Sequence, residues 1–153
     1  MTDINDTAPD FTLPASGGET LMLSSLKGSA VVLFFYPRDD TSGCTKESIA
    51  FSELLQDFAA ADTKVIGISK DSIEKHEKFI AKYGLTVPLA SDENDTVCEA
   101  YGVWKEKSMY GKKFMGIERS TFLIDAGGKI AQVWRKVKVP GHAEAVLDAA
   151  KQL

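Results

Sequence analysis

The chain has little cysteine, no long apolar run and no excess of basic residues, and each shortage removes a class of protein. Two cysteines in 153 residues cannot build a disulfide scaffold, which needs more of them in a shorter secreted chain. No apolar stretch approaches the roughly 20 residues that span a bilayer. A net charge of -4 is not that of a phosphate-backbone binder, which carries a basic patch or a high pI. Neither nucleic acid nor a membrane is an expected partner. The first ten residues are polar and acidic, with no basic start and no apolar signal segment, so the expected compartment is the cytosol. His76 and His142 have no histidine or cysteine at metal-ligand spacing and are expected on helix surfaces. The acidic cluster Asp92–Asp95 lacks the ligand pattern of a calcium loop and reads as a turn and helix cap. No metal is expected.

What is present is ordinary globular composition, 44% apolar and 26% charged, with length enough for one core. No linker or repeat divides it, so residues 1–153 read as one domain. An arm and small hairpin cover residues 8–28, with a turn at 16–19. Ala30 to Tyr36 is a continuous β-prone run, as a strand buried on both faces requires, and Pro37 ends it. From Ser42 to about Ala60 the spacing becomes helical, with Phe51, Leu54, Leu55 and Phe58 on one stripe. Lys64–Ser69 is a second buried strand. Asp71 or Ser72 caps a helix that stops near Gly84. Leu89–Ser91 is a short strand, and a helix follows from about Asn94 to Tyr101. Residues 102–118 read as a long polar loop, whose Lys112-Lys113 pair belongs to solvent or to the entrance of a site. A hairpin of Ser120–Ile124 and Lys129–Val137 turns at Asp125–Gly128; this turn lacks the spacing of a phosphate loop. A helix from Pro140 to Leu153 closes the chain. The order predicts an α/β fold with a mixed central sheet flanked by helices and an N-terminal hairpin extension.

Cys44 lies where a buried strand passes into a helix, at the carboxyl edge where α/β folds place their chemistry. Thr41 or Ser42 is a natural N-cap, which puts Cys44 in the first turn. Free amides and the positive helix end favour a thiolate there, and the thiolate is the nucleophile. Gly43 leaves room beside the sulfur, and the Thr41 hydroxyl can donate or accept at the same spot. A small cysteine packed under a helix start accounts for the spacing as well. A thioredoxin-type dithiol does not, because Glu47 stands where its second cysteine belongs.

Pro37, Thr41 and Cys44 stand in a proline-x-x-x-threonine-x-x-cysteine arrangement, and the run Phe35–Glu47 around them resembles the peroxiredoxins of the Q type, also called bacterioferritin comigratory protein. The resemblance continues in Ala100–Trp104, Met109–Lys113, Gly116–Ile124 and Trp134–Lys138, and so covers nearly the whole chain. It implies a thioredoxin-like fold and an antioxidant thiol peroxidase acting on hydrogen peroxide and alkyl hydroperoxides without cofactor. Cys44 would be the peroxidatic cysteine, passing through a sulfenic acid. Thr41 would orient the peroxide, Pro37 would shield the thiolate from water, and Arg119 would be the distant arginine brought beside Cys44. The rival from another class is a thioredoxin-fold binding or holdase module whose peroxidase activity has decayed.

Two positions depart from the family. The places where relatives carry a resolving cysteine hold Ile49 and Ile80. Either an external thiol (thioredoxin, glutaredoxin or glutathione) reduces the sulfenic acid, or Cys98 resolves it. Beside Val97 and Ala100, Cys98 reads more simply as a buried inert thiol, and the one-cysteine mechanism is the favoured expectation. The resemblance leans toward a monomer, with dimers among some relatives.

Overall fold

The computed structural model describes residues 3–153. Its strands are β1 (Thr12–Ala15), β2 (Glu19–Met22), β3 (Ala30–Phe35), β4 (Thr63–Ser69), β5 (Leu89–Ser91), β6 (Trp104–Met109), β7 (Lys112–Ile117), β8 (Ser120–Ile124) and β9 (Ile130–Trp134). Its α-helices are α1 (Ser42–Glu53), α2 (Leu55–Ala60), α3 (Ile73–Tyr83), α4 (Val97–Ala100) and α5 (His142–Lys151). Seven strands form one mixed sheet in the order β2-β1-β5-β4-β3-β8-β9. The apolar run β3 lies near its centre, parallel to β4 and antiparallel to β8. Every residue of β3 is buried, because both of its faces are covered.

Alternation along β3 divides the core in two. Val31, Leu33 and Phe35 face a layer containing α4, Tyr101 and the N-terminal arm. Val32, Phe34 and Tyr36 face the apolar sides of α1, α2, α3 and α5, through Phe51, Phe58, Phe79 and Val146. The predicted mixed sheet, flanking helices and N-terminal hairpin are all present.

Four local expectations change. The helix expected over 42–60 breaks at Leu54 (φ -96°, ψ 4°); the apolar stripe runs on across the break, so periodicity does not reveal it. The helix expected from 94 begins at Val97, because the Asp92 carboxylate accepts from the amides of Val97 and Cys98 and caps it there. The polar loop 102–118 is mostly the hairpin β6–β7, which turns at Tyr110 (φ 52°) and Gly111 (φ 77°). Two consecutive positive φ values are what a two-residue hairpin turn requires. These strands pair only with each other, so most of their side chains face water and carry no apolar alternation to mark them. Lastly, His76 and His142 are buried rather than on the surface. Each makes polar contacts inside the fold, and helical periodicity cannot tell a buried imidazole from an exposed one.

Gly67 in β4 sits where Phe34 and Leu89 close over the sheet. A β-carbon there would lie 2.7 Å from each of their side chains. Gly67→Ala is expected to cost about 1–3 kcal/mol in urea unfolding through overpacking; a loss under about 0.5 kcal/mol would mean that this layer repacks freely.

Candidate active site

The site lies where β3 ends and the chain turns into α1. Thr45 N donates to Thr41 O (2.8 Å), the first bond of the helix, so the amides of residues 42–44 come before any helical acceptor. Cys44, the third residue of α1, is 1% exposed. Thr41 is the N-cap residue, yet its hydroxyl does not cap the helix. It donates instead to the carbonyl of Arg38 (2.9 Å), which leaves its lone pairs facing outward. Pro37 is exposed at the start of the loop.

Arg119 reaches this place through strand register. Ser120 of β8 pairs with Phe35 of β3, which puts residue 119 beside the end of β3. One Nη donates to Cys44 Sγ (3.2 Å) and the other to Glu47 Oε1 (2.6 Å). Gly43 eases the approach, since a β-carbon there would crowd the guanidinium at 3.1 Å. Burial alone would lower the Arg119 pKa, but the charges of Glu47 and Cys44 raise it. Glu47 was noted in the sequence only as a position without a second cysteine. Its signal was available: three residues after Cys44, it shares a helix face with the sulfur. Burial pushes its carboxyl up to about 7 against the opposing pull of Arg119. The direction follows from geometry, since only Oε1 is bonded and the buried Oε2 has no partner.

The loop between β3 and α1 is fixed from behind. Asp39 accepts from the Tyr36 hydroxyl (2.6 Å), and its other oxygen meets His76 Nδ1 at 2.6 Å. His76 Nε2 faces the Ala90 carbonyl at 3.0 Å. Both ring nitrogens of this buried imidazole thus have polar partners. Asp39 N donates to Asp71 (2.8 Å). Asp40 holds a left-handed conformation (φ 59°), accepts from Tyr83 and pairs with Lys82 at 2.8 Å. Two consecutive aspartates thus tie the loop to α3. Burial, then Asp39, raises the Tyr36 pKa well above the usual phenol range.

Two further titratable groups feel the Arg119 charge. Burial first, and then the Arg119 charge, lower the Lys107 pKa, while Cys44 and Glu118 oppose them. His142 contacts the Thr121 hydroxyl at 2.8 Å; burial, then Arg119, lower its pKa to about 4 against the pull of Glu144, so it is neutral at neutral pH.

Cys98 is elsewhere. It belongs to the core layer on the opposite face of the sheet from Cys44, fully buried, with its amide on Asp92. Burial, reinforced by the Asp92 charge, raises its thiol pKa far above the ordinary range, which disfavours the nucleophilic thiolate. Among the described residues no cluster of three or more histidine, cysteine or acidic side chains could hold a metal, and no helix is long and apolar enough to cross a membrane.

A sulfur opening a helix at that edge of a thioredoxin-like sheet, with a guanidinium held on it, puts the chain among the thiol enzymes that act on peroxides. Residues 4–133 match the AhpC/TSA family. A putative bcp peroxiredoxin of Coxiella burnetii is 51% identical over 145 residues, spanning 95% of this chain and 96% of that protein. Peroxiredoxin Q of Xanthomonas campestris superimposes with a TM-score of 0.88 at 48% identity, over 93% of this chain and 90% of that one. The Xylella fastidiosa protein of the same type gives 0.94 at 43% identity, over 99% and 97%. The chain therefore belongs to the AhpC/TSA family, and within it is a thiol peroxidase, a peroxiredoxin of the Q or bacterioferritin comigratory type.

Glu47 and His142 tie stability to pH in opposite senses. Glu47 has a folded pKa raised to about 7, so it contributes stability at low pH that is lost as pH rises from its ordinary value of 4.5 toward 7. His142, with its pKa lowered to about 4, contributes stability at neutral pH that is lost as pH falls from 6.5 toward 4. The two offset each other in one window. Glu47→Gln removes the first, so between pH 5 and 7 the variant should gain roughly 2 kcal/mol relative to wild type in chemical denaturation. Parallel pH profiles would mean that Glu47 titrates as an ordinary carboxylate.

Proposed function

We propose that this chain reduces hydrogen peroxide and small alkyl hydroperoxides through a Cys44 sulfenic acid, which an external thiol then reduces. The observation that carries the reading is the Arg119 fork, one Nη on Cys44 and the other on Glu47. The Cys44 thiolate attacks the terminal oxygen of the peroxide in line with the O–O bond. That bond breaks, the sulfur keeps the oxygen as S–OH, and the alkoxide or hydroxide leaves and takes a proton. Negative charge moves from sulfur to the leaving oxygen. Arg119 and the amides at the start of α1 are fixed donors that can follow it without reorganising. The Thr41 hydroxyl has its hydrogen committed to Arg38 O, so it offers a lone pair to the peroxide O–H and aligns it. Pro37, which has no N–H and is exposed at the start of the loop, limits water at the sulfur in this reading. A bacterioferritin comigratory protein of Xanthomonas campestris has been studied for alkyl peroxide reduction, which supports including that substrate class.

The one-cysteine course rests on the separation of the two thiols. A disulfide needs Cα atoms within about 7 Å, and Cys44 and Cys98 pack on opposite faces of the sheet. Ile49 and Ile80 offer no sulfur. The reductant is therefore a thiol such as thioredoxin, glutaredoxin or glutathione. Two unpaired buried cysteines suit a reducing cytoplasm, where the protein would serve antioxidant defence. We read residues 1–153 as one peroxiredoxin domain, working as a monomer.

Cys44→Ser should abolish turnover. Arg119→Ala should slow peroxide attack about a hundredfold in stopped-flow measurements; a loss under about threefold would remove Arg119 from the reaction. After one equivalent of hydrogen peroxide without added thiol, wild type and Cys98→Ser should both gain oxygen at Cys44 in intact-mass spectra. A loss of two hydrogens in wild type alone would establish Cys98 as the resolving thiol.

A further inference from the structure

Apart from the Lys107 charge, which interacts with Arg119 and Cys44, the hairpin β6–β7 supplies nothing to the peroxide step. Cross-strand pairing sets Lys105 opposite Gly116, Lys107 opposite Phe114 and Met109 opposite Lys112. With a side-chain period of two, these six residues share a face, and Glu106, Ser108, Lys113 and Met115 share the other. A β-carbon on Gly116 would meet the Lys107 stem at 3.3 Å and the Phe114 ring at 3.6 Å, so Lys107 lies along this face, and its charge interacts with Arg119 and Cys44. In a chain of net charge -4, the face carries three lysines and no carboxylate. Its apolar members are open to water: Met109 is 58% and Phe114 45% exposed, and Tyr110 at the tip is 97% exposed. Nothing in the fold covers them, and apolar side chains collected at one exposed place mark an interaction surface more often than chance.

The chemistry of the second half-reaction says what should come there. The sulfenic acid and a thiol condense, Cys44–SOH + HS–R giving Cys44–S–S–R and water. A second thiol must then attack the R-side sulfur to release reduced Cys44. Cys98 lies across the sheet, so both thiols come from outside, and a dithiol protein carries both. A small anionic thiol would use the lysines and leave Met109, Tyr110 and Phe114 without purpose. We propose that the Lys105–Lys107–Met109–Lys112–Phe114 face of β6–β7 is the docking surface for the reducing dithiol protein, and that this partner presents an apolar centre and an acidic rim around its attacking cysteine. The proposal rests on the one-cysteine peroxidase reading above.

The test compares wild type with Lys112→Glu/Phe114→Ser. Both residues are exposed and outside the reacting groups; Lys107 is left in place because its charge reaches the sulfur. Turnover is driven by thioredoxin recycled with its reductase, by glutathione or by dithiothreitol, at low and high salt, and single-turnover oxidation by hydrogen peroxide is followed separately. The variant should lose about tenfold in kcat/KM for thioredoxin, while dithiothreitol turnover and peroxide oxidation stay within about twofold of wild type. Salt should slow wild type with thioredoxin and leave the variant nearly flat. An unchanged kcat/KM for thioredoxin, or a fall matched with dithiothreitol, would overturn the docking surface. So would a loss confined to glutathione-driven turnover, which would assign the lysines to a small anionic thiol. Failure of wild-type Cys44 to oxidise in the single-turnover arm would instead bring down the peroxidase reading, by a separate signal.

Discussion

The active site depends on one guanidinium shared between a sulfur and a buried carboxyl. Arg119 binds Cys44 and Glu47 at once, and this requires three unrelated features to agree. The β3–β8 register must place residue 119 at the end of β3. Gly43 leaves out a β-carbon that would crowd Arg119 at 3.1 Å. Glu47 must follow Cys44 by about one helical turn, so that both face the same fork. Arginine suits the task because its planar donors are rigid and stay charged at any working pH, whereas lysine would supply a single mobile point.

Cost and support are distributed around that contact. Burying Glu47 with one oxygen unbonded is unfavourable, and the carboxyl answers by holding its proton more tightly. The loop carrying Pro37 and Thr41 is held by groups that never face the peroxide. Asp39 is fixed through its amide and both side-chain oxygens, and Asp40 is tied to Lys82 and Tyr83 of α3. A cysteine at a helix start has the means to be nucleophilic. It becomes a selective peroxide site only when the donors around it are held still.

In the cycle proposed above, the two half-reactions use different parts of the fold. Peroxide meets β3, α1 and Arg119, where the groups are buried and closely bonded. The face proposed for the reductant lies on the exposed hairpin β6–β7, which forms a two-stranded sheet of its own. A rigid interior and an adaptable exterior are compatible because the first step is governed by atomic alignment and the second by encounter with a protein.

Much of this was legible along the chain. The buried strand β3, the helix after it, the cap of α3 and the turn at Asp125–Gly128 follow from local patterns, because hydrophobic periodicity and turn chemistry act over a few residues. Pro37, Thr41 and Cys44 sit within eight residues of one another, and their grouping is visible without a fold. The hairpin β6–β7 was not visible, since its strands face water on both sides. His76 and His142 were placed on the surface for a related reason: their burial depends on partners such as Asp39, Ala90 and Thr121, all distant in sequence from the ring they meet. The sequence by itself determined the helix-start setting of Cys44 and the family. Only the tertiary structure decided that Glu47 shares Arg119 with the sulfur, that His76 meets Asp39, and that Cys98 stands on the far face of the sheet. Those are contacts between residues far apart in the chain, or between the two faces of a sheet, and no local spacing encodes a distance across a fold.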